Sequence, residues 1–146
     1  MFSRILVPLD GSELAESALE PASAIARAFA AEMFLVRVVP VPVHQRAGFS
    51  MGEVEAELAE ADDYLASIAS RMKEDDVKVH YAVRQGDVAE EILQHAADND
   101  CDLIVICTHG RSGLARWVYG SIADRVLRYG LQSVPAILVV SAAVDK

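Results

Sequence analysis

The chain of 146 residues is long enough for one domain with a sizeable core. An apolar content of 53% with 24% charged residues excludes disorder and points to a compact fold of a reducing, cytoplasmic compartment. Its 22 acidic and 13 basic residues give a formal net charge of −9, which argues against DNA or RNA as a partner, because phosphate contacts dominate that affinity.

Strand-like and helix-like segments alternate along the chain. Ile5–Leu9 is a short apolar run and reads as the first strand. Leu14, Ala15, Ala18, Leu19, Ala22, Ile25, Ala26 and Phe29 recur at helical spacing, and Pro21 within that pattern predicts a kink or a tight turn in its first half. Met33–Val39 is the second strand, and residues 40–52, with Pro40, Pro42, Gly48 and Gly52, read as a loop. Val54, Leu58, Ala61, Leu65, Ile68 and Met72 form one apolar seam of a helix with an acidic outer face. Val77–Arg84 alternates apolar and polar residues, so it predicts a less buried strand near the sheet edge. Asp87 with Glu90 three residues on is a capping box for a helix carrying Ile92, Leu93 and Ala96. Leu103–Ile106 is the fourth strand, 122–129 the next helix, and Ala136–Val140 the last strand.

Five strands alternating with four helices imply right-handed βαβ units in a single α/β domain spanning 1–146. The expected architecture has three layers, an open parallel five-stranded sheet of order 3-2-1-4-5 with helices on both faces. Ligands of such sheets bind beyond the carboxyl ends of the strands where the winding reverses, here between the first and fourth strands. No apolar run approaches the roughly 20 residues that span a bilayer, so no membrane association is expected. Met1-Phe-Ser-Arg4 lacks the layout of a signal peptide. Cys101 and Cys107 flank one apolar run and do not suggest a disulfide scaffold.

The stretch that carries chemistry is Cys107-Thr-His-Gly110-Arg-Ser-Gly113, followed by Gly120-Ser121. Strand, glycine-bearing loop and helix start follow in that order, an arrangement that suits an anion. Glycines let backbone approach a phosphate, and the first N–H groups of a helix carry partial positive charge. Ser121 adds a hydroxyl that can cap the helix or donate to a phosphate oxygen. Arg111, Arg116, Arg125 and Arg128 stand against Asp124 alone in segment 107–130, a basic island in an acidic protein. The first strand meanwhile ends in Pro8-Leu-Asp10-Gly-Ser12, which reaches the same crevice. Asp10 there reads as a ligand contact, a metal ligand or a helix cap. His109 reads as catalytic or as a loop histidine bonded to backbone, and Cys107 as an inert or a redox thiol. Cys107 with His109 is too sparse for zinc. Trp117 and Tyr119 read as packing or partner contacts, and His44, His80 and His95 as surface residues.

These residues resemble the universal stress protein family over the whole chain, through "RILVPLDGS", "GDVAEEI", "CDLIVICTHGRSGLARWVYGSIADRVL" and "VPAILVV". Nucleotide-binding members carry glycine, two residues, glycine, nine residues, glycine and then Ser or Thr. Gly110, the nine residues 111–119, Gly120 and Ser121 match that pattern, and Cys107 stands in place of the first glycine. The resemblance implies an adenine nucleotide α-hydrolase-like fold and a regulatory stress-response module that binds ATP, with Mg²⁺ or Mn²⁺ bridging the phosphates. It implies that Pro8 and Asp10 border the adenosine, Asp10 accepting from the ribose hydroxyls. Val38 would meet the adenine edge through its backbone, and Ile106 would lie against the nucleoside. Cys107 would lie near the ribose and α-phosphate, and Gly110, Gly113, Gly120 and Ser121 would receive the phosphates. It further implies a homodimer formed through the last strand, Ala136–Val140.

Hydrolysis is expected to be slow at most, since no general base is evident and the loop has no Walker lysine. The alternative is a nucleotide-free dimeric stress-response interaction module, favoured by Cys107 and opposed by the Gly110 to Ser121 spacing. A phospho-receiver domain would need an acidic pair after the first strand and an Asp ending the third, and neither is present. A Rossmann enzyme would need its glycine fingerprint after the first strand, where only Gly11 occurs.

Overall fold

The computed structural model of the protein describes residues 1–40, 51–108 and 116–141, with backbone alone over 116–120. In chain order the elements are β1 (Arg4–Pro8), α1 (Glu13–Glu16), α2 (Leu19–Phe29), β2 (Glu32–Val39), α3 (Met51–Met72), β3 (Val79–Gln85), α4 (Val88–Asp98), β4 (Leu103–Thr108), α5 (Arg116–Gly130) and β5 (Ile137–Ser141). The strands form one sheet of order β3-β2-β1-β4-β5, and every neighbouring pair is parallel. This is the expected open α/β architecture.

Alternating side chains divide the core into two layers. Ile5, Val7, Met33, Leu35, Leu103, Val105 and Cys107 face α1, α2 and α3. Leu6, Phe34, Val36, Ile104 and Ile106 face α4 and α5. Apolar residues on both faces explain why the central strands read as unbroken hydrophobic runs. As its alternation predicts, β3 is an edge strand and only half-buried. At the opposite edge, β5 exposes Leu138 and Val139 at 37% each.

The first helical segment is split where its proline requires it. Pro21 has no N–H to give to the Ser17 carbonyl, and in a continuous helix its ring would strike that carbonyl. The chain turns at Ser17 and Ala18, and Pro21 falls in the first turn of α2, where the missing donor is harmless. The helix expected over 122–129 instead begins at Arg116, with Gly120 inside it. An interior glycine costs about 1 kcal/mol relative to alanine, too little to end a helix that its neighbours support. Ser121 therefore lies within α5 and does not cap it.

Below the sheet, the Asp102 carboxylate accepts from the backbone N–H of Ser3 at 2.9 Å and of Arg4 at 3.1 Å, and the Asp102 N–H donates to the Arg4 carbonyl. This clasp joins the start of the first strand to the start of the fourth. His95 corrects the expectation of a surface histidine: it is 8% exposed, with Nδ1 3.0 Å from Arg84 Nη1. Burial first, and then the Arg84 charge, hold its pKa below the usual histidine value. His80 is half-buried, stacked on Phe34 and bonded to Glu32 at 2.8 Å.

Asp87 caps α4, accepting from the Glu90 N–H at 3.0 Å, and pairs with Arg125 of α5 at 3.0 Å. The Arg125 bond, then the backbone bond, lower its pKa. Asp87→Ala is expected to cost about 1 kcal/mol in urea unfolding at neutral pH, chiefly through the lost cap. Because the folded pKa is depressed, that contribution is full above the unfolded carboxylate value near 4 and disappears as pH falls through the folded one. The difference between wild type and variant should accordingly vanish in acid.

Candidate functional site

At the carboxyl end of the sheet, where β1 and β4 lie side by side and the winding reverses, the chain leaves a cavity of about 270 Å³. Pro8, Leu9 and Asp10 come from the end of β1, Arg37 to Pro40 from β2 and its exit, and Ile106 from β4. Val88 and Ile92 of α4, Ile122 of α5 and Glu57 of α3 complete the described lining. Parallel strands separate here because their following connections run to opposite faces of the sheet, so the crevice is a consequence of strand order. Its walls are mostly aliphatic, with charge supplied by Asp10, Arg37 and Glu57. That composition suits a flat, partly apolar ligand bearing polar groups at defined places.

The turn after β1 is tightly braced. Asp10 Oδ1 accepts from the Ser12 N–H at 2.9 Å and from the Ser12 hydroxyl at 2.6 Å. Ser12 Oγ in turn accepts from the Ala15 N–H at 3.1 Å and caps α1. The cap is thus Ser12, and Asp10 supports it from one step back. Both bonds fall on Oδ1, and the side chain is exposed to the crevice. Gly11 makes the turn possible: its φ is +91°, and a methyl group there would meet Arg37 Nη1 at 3.2 Å. Arg37 lies over the Tyr64 ring at 5.2 Å, and the Tyr64 hydroxyl donates to Glu16 at 2.6 Å. Burial, reinforced by that carboxylate, pushes the Tyr64 pKa up, so the phenol stays a donor.

Of the residues singled out in the sequence, Pro8, Asp10, Val38 and Ile106 meet at this cavity. Ser121 is exposed on α5, one residue before the lining Ile122. Gly120 lies in the same helix, while Gly110, Gly113 and His109 fall outside the described residues. Cys107 precedes the glycine loop at the end of β4. It is fully buried in the layer under α1 and α2, so its side chain points away from the wall that Ile106 supplies. Strand alternation is the reason, since neighbouring residues face opposite sides. Burial raises the Cys107 thiol pKa and pushes that of Cys101 up to about 12, the reverse of what a redox thiol needs. Arg37, Glu57, Val88, Ile92 and Ile122 were not singled out as site residues, although Val88, Ile92 and Ile122 lie within stretches that carry the family resemblance. Arg37 alone had a local signal, as a charge interrupting the apolar run 33–39.

Among the described residues, no three His, Cys, Asp or Glu side chains gather as metal ligands, and no helix is long and apolar enough to cross a membrane. Residues 1–134 match the profile of the Universal stress protein family. Universal stress protein MJ0531 of Methanocaldococcus jannaschii is 34% identical over 131 residues, covering 88% of this chain and 77% of that one. The solved structure of MJ0577 from the same organism superposes with a TM-score of 0.80 at 27% identity, covering 99% of both chains. A universal stress protein from Archaeoglobus fulgidus in complex with dAMP shares the fold, with a TM-score of 0.67 at 19% identity over 96% of this chain and 98% of that one.

Proposed function

The chain belongs to the universal stress protein family, and on that premise we propose that it is a regulatory stress-response module that binds an adenine nucleotide in the crevice between β1 and β4. The observation carrying this reading is the convergence of Pro8, Asp10, Val38 and Ile106, from three separate strands, on one largely apolar cavity. Aliphatic side chains of Val88, Ile92, Ile106 and Ile122 give an adenosine its apolar contact, and the Val38 backbone faces the base edge. Asp10 is anchored through one oxygen to Ser12, which orients the carboxylate toward ribose hydroxyls. Phosphates extend toward the loop holding Gly110 and Gly113 and toward Gly120-Ser121, with Cys107 contributing backbone only. The dAMP held by the Archaeoglobus fulgidus protein is in keeping with such a ligand.

ATP is the proposed physiological form, with Mg²⁺ or Mn²⁺ bridging its phosphates. Among the described residues, Asp10 and Glu57 are the carboxylates lining the cavity, and binding with at most slow hydrolysis is the activity proposed. Readout passes through a cytoplasmic homodimer built on β5, whose exposed Leu138 and Val139 would be covered by a second copy. Cys107 is the feature that favours the nucleotide-free alternative, and the burial of its thiol on the face of β4 opposite to Ile106 supports the nucleotide-bound reading.

Isothermal titration of nucleotide-stripped protein with ATP and Mg²⁺ tests this. A dissociation constant in the micromolar range, about −8 kcal/mol, is expected. Absence of heat, together with no nucleotide released on denaturing the purified protein, would leave the interaction module as the function.

A further inference from the structure

Arg37 has features that the nucleotide reading leaves unused. Arg27, Arg71, Arg84, Arg125 and Arg128 each make an ion pair, and Arg4 donates to the Asn99 carbonyl at 2.6 Å. Among the described residues, Arg37 has neither ion pair nor hydrogen bond, only the face of Tyr64. The ring is itself held by Glu16, so the guanidinium is seated on a fixed platform, and Arg37 is part of the cavity lining. No ion pair joins it to Asp10 or Glu57, the other charged side chains of the described lining.

Its position matters as much as its charge. The guanidinium lies against Gly11, next to Asp10, at the β1 and β2 end of the crevice. Gly120-Ser121 lies in α5, which follows β4, whereas Arg37 lies in β2 beside the end of β1; on the nucleotide reading the 5′-phosphates take the first side of the crevice and Arg37 the other. An unpaired guanidinium offers a fork of donors matched to a phosphate.

We propose that Arg37 is a specificity-determining residue that favours adenine nucleotides phosphorylated on the ribose 2′ or 3′ oxygen. This rests on the nucleotide reading above: Asp10 places the ribose hydroxyl edge beside Gly11, and Arg37 meets the phosphate attached there. The 2′ and 3′ esters share this chemistry and are separated by the choice of probe.

The test is equilibrium titration of wild type, Arg37→Gln and Arg37→Lys with adenosine 5′-monophosphate, adenosine 3′,5′-bisphosphate and adenosine 2′,5′-bisphosphate. Wild type is expected to bind one of the bisphosphates about tenfold more tightly than the monophosphate, the gain of one charge-assisted contact. In Arg37→Gln that ratio should fall close to one, and Arg37→Lys should retain part of it. Equal affinity of wild type for the monophosphate and both bisphosphates overturns the proposal while leaving the nucleotide site standing, as does a ratio that survives in Arg37→Gln. Failure of all three compounds to bind overturns the nucleotide reading and this inference with it.

Discussion

A Gly120→Val variant is expected to lose ATP affinity by about 100-fold or more, roughly 2.7 kcal/mol, while remaining folded. Gly120 lies inside α5, flanked by helical residues on both sides. A glycine there is a poor choice for the helix: valine is more favourable by a few tenths of a kcal/mol on helix propensity alone. The two effects of the substitution therefore have opposite signs. Nucleotide binding should fall because a branched side chain blocks the approach of phosphate to backbone, and the urea midpoint should stay level or rise slightly. Titration with ATP and a denaturation curve on the same preparation separate them. Undiminished affinity would remove Gly120-Ser121 from the phosphate site. Lost affinity accompanied by lost stability would show that the glycine serves packing instead.

The largest stability effect should come from Ile104→Ala, at about 3–4 kcal/mol. Ile104 is fully buried in the fourth strand, opposite Leu6 on one side and Ile137 on the other. It belongs to the layer formed by Phe34, Val36, Ala96, Ala123 and Val126. Alanine leaves a gap there, and neighbours on a parallel sheet fixed at both edges have little freedom to close it. For a chain of 146 residues, the loss corresponds to a thermal midpoint about 10 °C lower. A change below about 1 kcal/mol, with an unaltered denaturant slope, would mean that this layer collapses around the gap and is less tightly packed than its burial indicates.

Strand order and layering were legible because they follow from short-range patterns. The doubly apolar runs at 5–9 and 103–106 are what a sheet covered on both faces requires, and the alternation in 77–84 marked an edge. Pro21 announced a break, but not its location at Ser17 and Ala18, which goes with the burial of Ala15 and Ala18 in the core. The start of α5 was misplaced because Gly120 and Ser121 look like a boundary, whereas the helix extends back to Arg116 and absorbs them. For the site, the residues at strand ends were found through their motifs. Those contributed by helix faces, Glu57, Val88, Ile92 and Ile122, were not recognised as lining, since each looks like any other position on an amphipathic helix even where a family stretch contains it. At Cys107 the facing of the side chain was not legible. A motif gives a residue's position along the chain but not which face of a strand its side chain takes, and the neighbouring Ile106 occupies the crevice side.

The Asp102 clasp bears on how the molecule is made. The bonds from Ser3 and Arg4 to Asp102 bridge 99 and 98 positions, and β1, the earliest of the five strands to be synthesised, takes β4 as its second neighbour. At a translation rate of about 10 residues per second, some 10 s separate the emergence of these two partners. Through that interval β1 can pair with β2 and receive α1, α2 and α3 on one face, but its other edge offers unpaired backbone to whatever is nearby. Its second face lacks α4 and α5 as well. The protein's window of vulnerability to chaperones or to a neighbouring nascent chain is therefore set by the pace of decoding across its middle third, however stable the finished fold becomes.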